Sequence, residues 1–548
     1  MSSNFRWSHG YKIDSKYTKS VAYFSMEFAI DQALKIYSGG LGYLAGSHMK
    51  SAYALKQNMI GIGILWKQGY YDQIRDENGL MKVAHQNRTY SFLQDTGITV
   101  SVNVKGFEVK VKAMYLAPET FSTVPMFFLT TDLPENDYLA RSITERLYHP
   151  NDQARIAQNI VLGIGGSKLI EALGGIDVYH MNEAHSLPIA CYLYDKFNHL
   201  DDVKERLVFT THTPEMAGNA VRDIQLLYDM GFFYKMDFET AKKVTQTYSD
   251  RFEYTPAALR MAKRANGVSA LHGQVARDMW KSYEGICPII SITNAQNQAY
   301  WQDEELQQAF VTKNDTRLIT RKKYLKRQLF KIVADQTGKL FDENVLTIVW
   351  ARRFAEYKRA DLIARDIEWF SRLLSGDQPV QLIWSGKPYP EDHGAVTIFN
   401  ALIRMSNEHK NAAVLTGYEL EQSAALKKGA DVWLNNPRRP QEASGTSGMT
   451  AAMNGAINFS TNDGWIPEFA VNEQNSFIIP EANLNKSIAE QDKEDHQHLM
   501  DILDDIIVPM YYNQPELWIK VMKQSMEDVS PQFDSDRMAQ EYYEKMFL

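Results

Sequence analysis

From about residue 340 the chain alternates short apolar runs with amphipathic stretches, and this alternation limits its fold more than any other feature. Val345–Trp350, Val380–Trp384, Ala412–Leu415, Asp431–Leu434 and Ala456–Phe459 read as strands. Asp361–Leu374, His393–Ser406, Glu419–Lys428 and Met449–Asn454 read as the helices between them. Units of this length predict a parallel sheet with helices on both faces. The first half is less regular. Val21–Phe28, Met59–Leu65, Ile98–Val104, Val109–Leu116 and Val124–Thr130 read as strands, followed by a helical pattern over Asp152–Leu173. Strands at Asp177–Met181, Arg206–Thr211 and Cys287–Thr293 are then separated by helical stretches at Ala184–Lys196 and Ala257–Tyr283. Leu499–Leu548 reads as helical, punctuated by Pro509 and Pro515.

The fold class expected is therefore α/β, with two Rossmann-like domains and a cleft between them. A length of 548 residues allows three or four small domains or two large ones, and the pattern favours two of about 250–300 residues. Lys and Arg total 59 against 67 Asp and Glu, so a nucleic-acid-binding surface is not expected. No apolar run reaches the roughly 18 residues of a membrane helix, and the polar start MSSNFRWSHGYKID lacks the apolar core of a signal peptide. Cys191 and Cys287 are too few for a disulfide framework or a cysteine-rich metal site. The expectation is a cytoplasmic protein without a metal centre.

In open parallel sheets ligands bind beyond the carboxyl ends of the strands. Here those ends carry Arg352, Arg353, Lys358 and Arg359 after one strand and Ser385-Gly386-Lys387 after the next. A third is followed by Asn435-Asn436-Pro437-Arg438-Arg439-Pro440 and then Glu442-Ala443-Ser444-Gly445-Thr446-Ser447-Gly448. Cations, glycines and hydroxyls converging from three loops predict an anion site, with Ser444–Gly448 and the following helix start holding a phosphate. The bland alternative is a capped helix after a glycine turn beside solvated basic residues. A second glycine loop, Ser38–Gly42, is weaker. Gly163–Gly166 lies inside a helical pattern rather than after a strand, which excludes a dinucleotide fingerprint. His180, His185 and His212 sit at strand ends without metal-ligand spacing, so each is a structural or a sugar-contacting histidine. Gln491–His498 reads as solvated surface.

These motifs resemble the α-glucan (glycogen/starch) phosphorylases, especially their compact bacterial and archaeal branch. The resemblance runs from Tyr23–Phe28 to Arg537-Met538 and Tyr542-Tyr543. It is carried by Ile36–Gly42, His180–Glu183, Phe209–Pro214, Asn266–Gly273, Ala351–Ala355 with Tyr357–Arg359, and above all Asp431–Met449. It implies a GT-B fold, with domains 1–294 and 295–548 and a last helix, about 517–548, crossing back to the first. It implies retaining transfer of glucosyl units between phosphate and an α-1,4-glucan, and a possible homodimer. By the same resemblance Arg353 and Lys358 hold the substrate phosphate with Gly39 and Gly40 of the glycine loop nearby. Glu442, Ser444, Gly445, Asn294 and His212 contact the glucosyl unit. Arg353, Lys358, His212 and Glu442 form the catalytic set, and Arg352, Thr446, Ser447, Tyr418 and Trp301 surround the family cofactor, pyridoxal phosphate.

The pattern breaks one residue past its longest match. The family attaches the cofactor to a lysine after Gly-Met, but here that residue is Thr450, which has no amine for a Schiff base. No covalently bound cofactor is expected. Asn297, Asn219 and Thr416-Gly417 also replace the residues the compact branch carries. Three readings follow. The first is a phosphorylase-like retaining glucosyltransferase acting on a glucosyl phosphate and a glucan. The second is a retaining transferase using a nucleotide sugar, whose diphosphate would occupy the cofactor volume near Thr450. The third is an inactive glucan-binding or regulatory protein.

Overall fold

The computed structural model describes residues 5–548. Two compact units divide them. The first holds the residues up to Tyr71, His85–Asn297 and Ser535–Leu548; the second holds Asp72–Ala84 and Gln298–Asp534.

The first unit is built on nine strands: β1 (Val21–Phe24), β2 (Met59–Ile64), β3 (Gln94–Val104), β4 (Phe107–Leu116), β5 (Met126–Thr130), β6 (Val178–Asn182), β7 (Leu207–Thr210), β8 (Arg264–Gly267) and β9 (Ile289–Ser291). Their spatial order is β9-β8-β7-β6-β1-β2-β5-β4-β3. Strands β9 through β5 run parallel, whereas β4 and β3 return antiparallel at one edge. Strand β8 corrects the expected helix over Ala257–Tyr283. That stretch is a helix at Tyr254–Met261, the strand, and a second helix at Ala270–Trp280. Arg-Ala-Asn-Gly has little strand propensity of its own; pairing with β7 and β9 on both sides decides its conformation. The apparent glycine fingerprint at Gly163–Gly166 lies within a continuous helical segment, as expected.

The second unit carries six parallel strands: β10 (Leu346–Ala351), β11 (Val380–Ser385), β12 (Ala412–Leu415), β13 (Val432–Asn435), β14 (Ile457–Thr461) and β15 (Ser476–Ile479). Every residue of β10 to β14 is buried, as near-continuous apolar runs require in a sheet covered on both faces. The order β12-β11-β10-β13-β14-β15 reverses direction between β10 and β13. That reversal opens a crevice at the strands' carboxyl ends. The protein is thus α/β, its two large sheets one mixed and one parallel, neither closed into a barrel.

Five helices matter below: α1 (Gly40–Ala54), α2 (Asp315–Thr337), α3 (Leu420–Gly429), α4 (Ser447–Ala452) and α5 (Ser535–Tyr542). The expected single terminal helix over about 517–548 is two elements. Pro515–Gln532 belongs to the second unit, and after Phe533 the chain enters α5 in the first. There α5 packs on α1, with the Ser535 and Ser51 hydroxyls 2.5 Å apart. A hairpin, Asp72–Arg75 with Met81–Ala84, lies within the first 294 residues yet belongs to the second unit. Its Gln73 amide donates to the Gly386 carbonyl and accepts from the Gly417 N–H, both at 3.0 Å.

Candidate functional site

Strands β10 and β13 are neighbours at the reversal, so the residues that follow them share one crevice of the second unit. Arg352 directly follows β10 and Glu442 lies seven residues beyond β13. The Arg352 Nη2 and the Lys358 Nζ both donate to the same carboxylate oxygen, Oε2 of Glu442, at 2.8 Å. All three side chains are buried. Burial alone would raise the Glu442 pKa; the charges of Lys358 and Arg352 outweigh it and hold the carboxyl at about 2. One carboxylate between two cations leaves a surplus of positive charge, and the exposed Arg353 adds to it. The Nε and Nη1 groups of Arg352 have no hydrogen-bond partner, nor does the buried Ser444 hydroxyl. Orphaned donors of this kind are costly unless a ligand meets them. An oxyanion does so.

Gly386, after β11, allows this arrangement. Its φ is +146°, and a Cβ there would lie 1.8 Å from the Arg352 carbonyl oxygen. Gly445, at φ +86°, turns the Ser444–Ser447 loop beside Arg352. Helix α4 opens at Ser447 directly after this loop and runs for six residues. The anion-binding capacity rests on Arg352, Lys358 and the loop hydroxyls.

Most of the expected basic patch is spent elsewhere. Arg359 is buried and donates to Asp492 at 3.0 Å, with Asp495 2.6 Å away. Arg438 makes a two-point contact with Asp492 at 3.2 and 3.0 Å. Arg439 pairs with Glu481, and Lys387 pairs with Glu419 at 3.3 Å. Gln491–His498 is therefore not a solvated run. Asp492 and Asp495 are 7% and 6% exposed and anchor the loop after β13. Burial would raise the Asp492 pKa, but the Arg438 and Arg359 contacts outweigh it and hold it at about 2. Arg352 and Lys358 stay in the crevice, paired with Glu442.

Thr450 is fully buried on α4, and its hydroxyl donates to the Ser447 carbonyl at 2.9 Å. It supplies no amine, so a cofactor anchored by an imine at this position does not fit. The phosphate of such a cofactor does fit the unpartnered donors of Arg352 and Ser444, with Thr446 and Ser447 in the same loop. The Ser447 hydroxyl accepts from the Trp433 indole at 3.3 Å. Tyr418, just before α3, bonds Ser423 at 3.0 Å, and burial pushes its phenol up to about 12. Trp301 is buried, with the Lys427 Nζ 3.7 Å from its ring centroid. Two titratable groups here escaped the sequence reading. Lys427 is buried on α3. Asp463 accepts from the Glu442 N–H at 2.9 Å, and burial raises its carboxyl to about 7. Neither carries a motif; only burial against distant elements distinguishes them.

The remaining predicted residues belong to the first unit. Glu27, buried after β1, accepts from the N–H groups of Ser38 and Gly39 at 2.6 and 3.0 Å. The Gly39 N–H is therefore already engaged, and Gly40 opens α1. A Cβ at Gly39 or Gly40 would meet nothing, so the fold itself does not demand these glycines. His212, after β7, places its Nε2 2.7 Å from the Asn182 Oδ1, and burial lowers its imidazole pKa to about 3. Asn294 is buried with an unpartnered Oδ1, an acceptor suited to a sugar hydroxyl. His180 is packed in the core beside Tyr23 and Tyr542, its Nε2 2.8 Å from the Thr210 hydroxyl, a structural role. His185 lines a pocket of about 180 Å³ with Glu183, Arg155, Thr213 and Asn219. Glu183 adopts φ +69°, a strained backbone for a non-glycine residue, and its carboxylate accepts from the His212 N–H at 2.8 Å.

Residues 291–492, which contain the whole β10–β13 crevice, match the family model described as carbohydrate phosphorylase. Maltodextrin phosphorylase of Thermococcus litoralis is 32% identical over 97% of this chain and 71% of its own length. The chain belongs to the carbohydrate phosphorylase family. Glycogen phosphorylase of Mycobacterium tuberculosis is 30% identical over 96% of the chain and 70% of its own length. An uncharacterized protein of Methanocaldococcus jannaschii is 44% identical over 96% of the chain and all of its own length. Among the described residues no helix is long and apolar enough to cross a membrane.

Proposed function

We propose that this phosphorylase-family chain is a retaining hexosyltransferase that moves glucosyl units between a glucosyl phosphate and an α-glucan, with no imine at position 450. The observation that carries the reading is the Arg352–Glu442–Lys358 arrangement, a net-positive buried site with orphaned Arg352 donors at a topological switch point. Stabilising a departing phosphate is mainly electrostatic work, which preorganised cations perform without reorganisation. In the proposed step the C1–O bond to phosphate breaks and the phosphate takes the electron pair. The acceptor hydroxyl forms the new C1–O bond on the same face and passes its proton to a phosphate oxygen. Arg353 and Lys358 hold that phosphate. Pyridoxal phosphate, where bound, supplies a second phosphate that acts as an acid towards the first; Arg352, Ser444, Thr446 and Ser447 are the residues that would hold it.

The nucleotide-sugar reading draws less support. Its second carboxylate would stand at Thr450, whose buried hydroxyl is committed to the Ser447 carbonyl and is not offered to a ribose. The test is calorimetric titration with glucose 1-phosphate, UDP-glucose and ADP-glucose, followed by phosphate release in the presence of maltodextrin. Binding of glucose 1-phosphate with glucan-dependent phosphate release is expected. Binding of a nucleotide sugar alone would replace this reading with the second, and glucan binding alone with the third.

A further inference from the structure

Strand β14 ends at Thr461, and the turn that follows it, Asp463-Gly464-Trp465, lies against the Glu442–Ser444 part of the loop after β13. Two hydrogen bonds and a close approach join them. The Asp463 Oδ2 accepts from the Glu442 N–H at 2.9 Å, and the Trp465 N–H donates to the Ser444 carbonyl at 3.0 Å. Between these bonds a Cβ on Gly464 would lie 2.3 Å from the Ser444 carbonyl oxygen. The turn is itself anchored. The Asp463 Oδ1 accepts from the Gly464 N–H at 2.8 Å, and the Trp465 ring packs on Phe469 and Phe533 with centroids 4.6 and 4.8 Å apart. Asp463 is 1% exposed, and both its carboxylate oxygens are met by backbone N–H groups rather than by a cation.

We propose that Asp463 is the positioning residue of the anion site: it holds the Glu442 backbone so that the carboxylate meets Arg352 and Lys358, and it takes up a proton when an anion enters beside those cations. With Asp463 neutral, two cations face the single carboxylate of Glu442 and positive charge is left over. With Asp463 ionised, a second buried carboxylate cancels that surplus. An anion binds the neutral state better, so its binding draws a proton from the solvent onto the Asp463 carboxylate, and its affinity falls as pH rises through the Asp463 titration. Few groups set this titration. Burial and the charge of Glu442 favour the proton, whereas the two N–H bonds and the charge of Arg439 oppose it, and Arg439 is itself paired with Glu481. Their balance holds the Asp463 carboxyl at about 7, where a change in local charge moves the proton. The inference rests on the reading above for the anion itself, at Arg352 and Lys358.

The probe is inorganic sulfate, whose charge is constant across neutral pH, unlike that of phosphate. Sulfate binding to the full-length protein is followed by calorimetry at constant ionic strength from about pH 6 to about pH 8.5, in two buffers of different ionisation enthalpy, which gives the protons taken up. Affinity should fall about fivefold or more across this range, with proton uptake near neutral pH and none at the acid end. Asp463→Asn should bind sulfate at the alkaline end as tightly as wild type does at the acid end, with a flat profile and no proton uptake. Asp463→Ala leaves the Glu442 N–H without its acceptor and should bind more weakly than Asp463→Asn at every pH; equal affinities of the two variants overturn the positioning role. A wild-type protein that binds sulfate with a flat profile and no proton uptake overturns the inference whatever the variants do. So does uptake that persists in Asp463→Asn, which would place the proton on another group such as Lys322 of α2, lowered by burial to about 7. Proton-linked sulfate binding in a protein inert towards glucose 1-phosphate keeps this inference and discards the proposed transferase. Sulfate binding without proton uptake, in a protein that turns over glucose 1-phosphate, does the reverse.

Discussion

Replacing Glu442 with glutamine tests the electrostatic centre of the site directly. The Glu442 carboxyl is held at about 2 rather than 4.5, because Lys358 and Arg352 outweigh the cost of burying it. A depressed carboxyl stabilises the folded state fully above its unfolded pKa and loses that stabilisation as pH falls towards the folded value. The shift corresponds to about 3 kcal/mol at neutral pH, of which roughly 1 kcal/mol is gone by about pH 3.5. Glu442→Gln keeps the shape but leaves Arg352 and Lys358 facing each other without a counter-ion, a loss of about 3–5 kcal/mol for a broken buried pair. Urea unfolding of both proteins from about pH 7 to pH 3.5 gives the difference curve. The gap should be largest at neutral pH and shrink by roughly 1 kcal/mol at the acid end. Asp492 also loses stabilisation over this range, but it does so in both proteins and cancels from the difference. A gap that is constant with pH would refute the reasoning, since Glu442 would then not be ionised against the two cations.

Other outcomes follow from the same geometry. Gly386→Ala should destabilise the second unit by more than about 2 kcal/mol, read as a lower urea midpoint, because its Cβ meets the Arg352 carbonyl at 1.8 Å. A neutral result would mean that the β11 loop moves freely. Arg352→Ala should abolish the rise in melting temperature produced by glucose 1-phosphate; an undiminished rise would place the phosphate elsewhere. Asp492→Asn should cost about 3–5 kcal/mol by removing the two-point partner of Arg438, Arg359 keeping Asp495, and a midpoint like wild type would return Gln491–His498 to the surface. His212 is held near a pKa of about 3, so the activity profile between about pH 5 and 8 should contain no step belonging to it. A step in that range that disappears in His212→Gln would count against a neutral ring.

Much of the site was legible because it is local. Arg352, Arg353 and Lys358 lie within seven residues at one strand end, and Glu442–Ser447 are consecutive in one loop. Thr450 was legible as a departure for the same reason. The strands of the second sheet were legible because a strand buried on both faces is an apolar run whatever its neighbours. Strand β8 was not, since only pairing on both sides makes a strand of Arg-Ala-Asn-Gly.

The sequence by itself determined the α/β class, the order of the elements, the cations at the strand ends and the missing lysine. Tertiary structure decided where several of these cations are spent, by bringing Asp492 onto Arg438 and Arg359, and Asp495 onto Arg359, from more than 50 residues away. It also decided that Gln73 serves the second unit, and that Lys427 lies buried over Trp301. The physical reason is the same in each case. Whether a charge is free or neutralised depends on burial and on partners within a few ångströms, and those partners are remote in the chain.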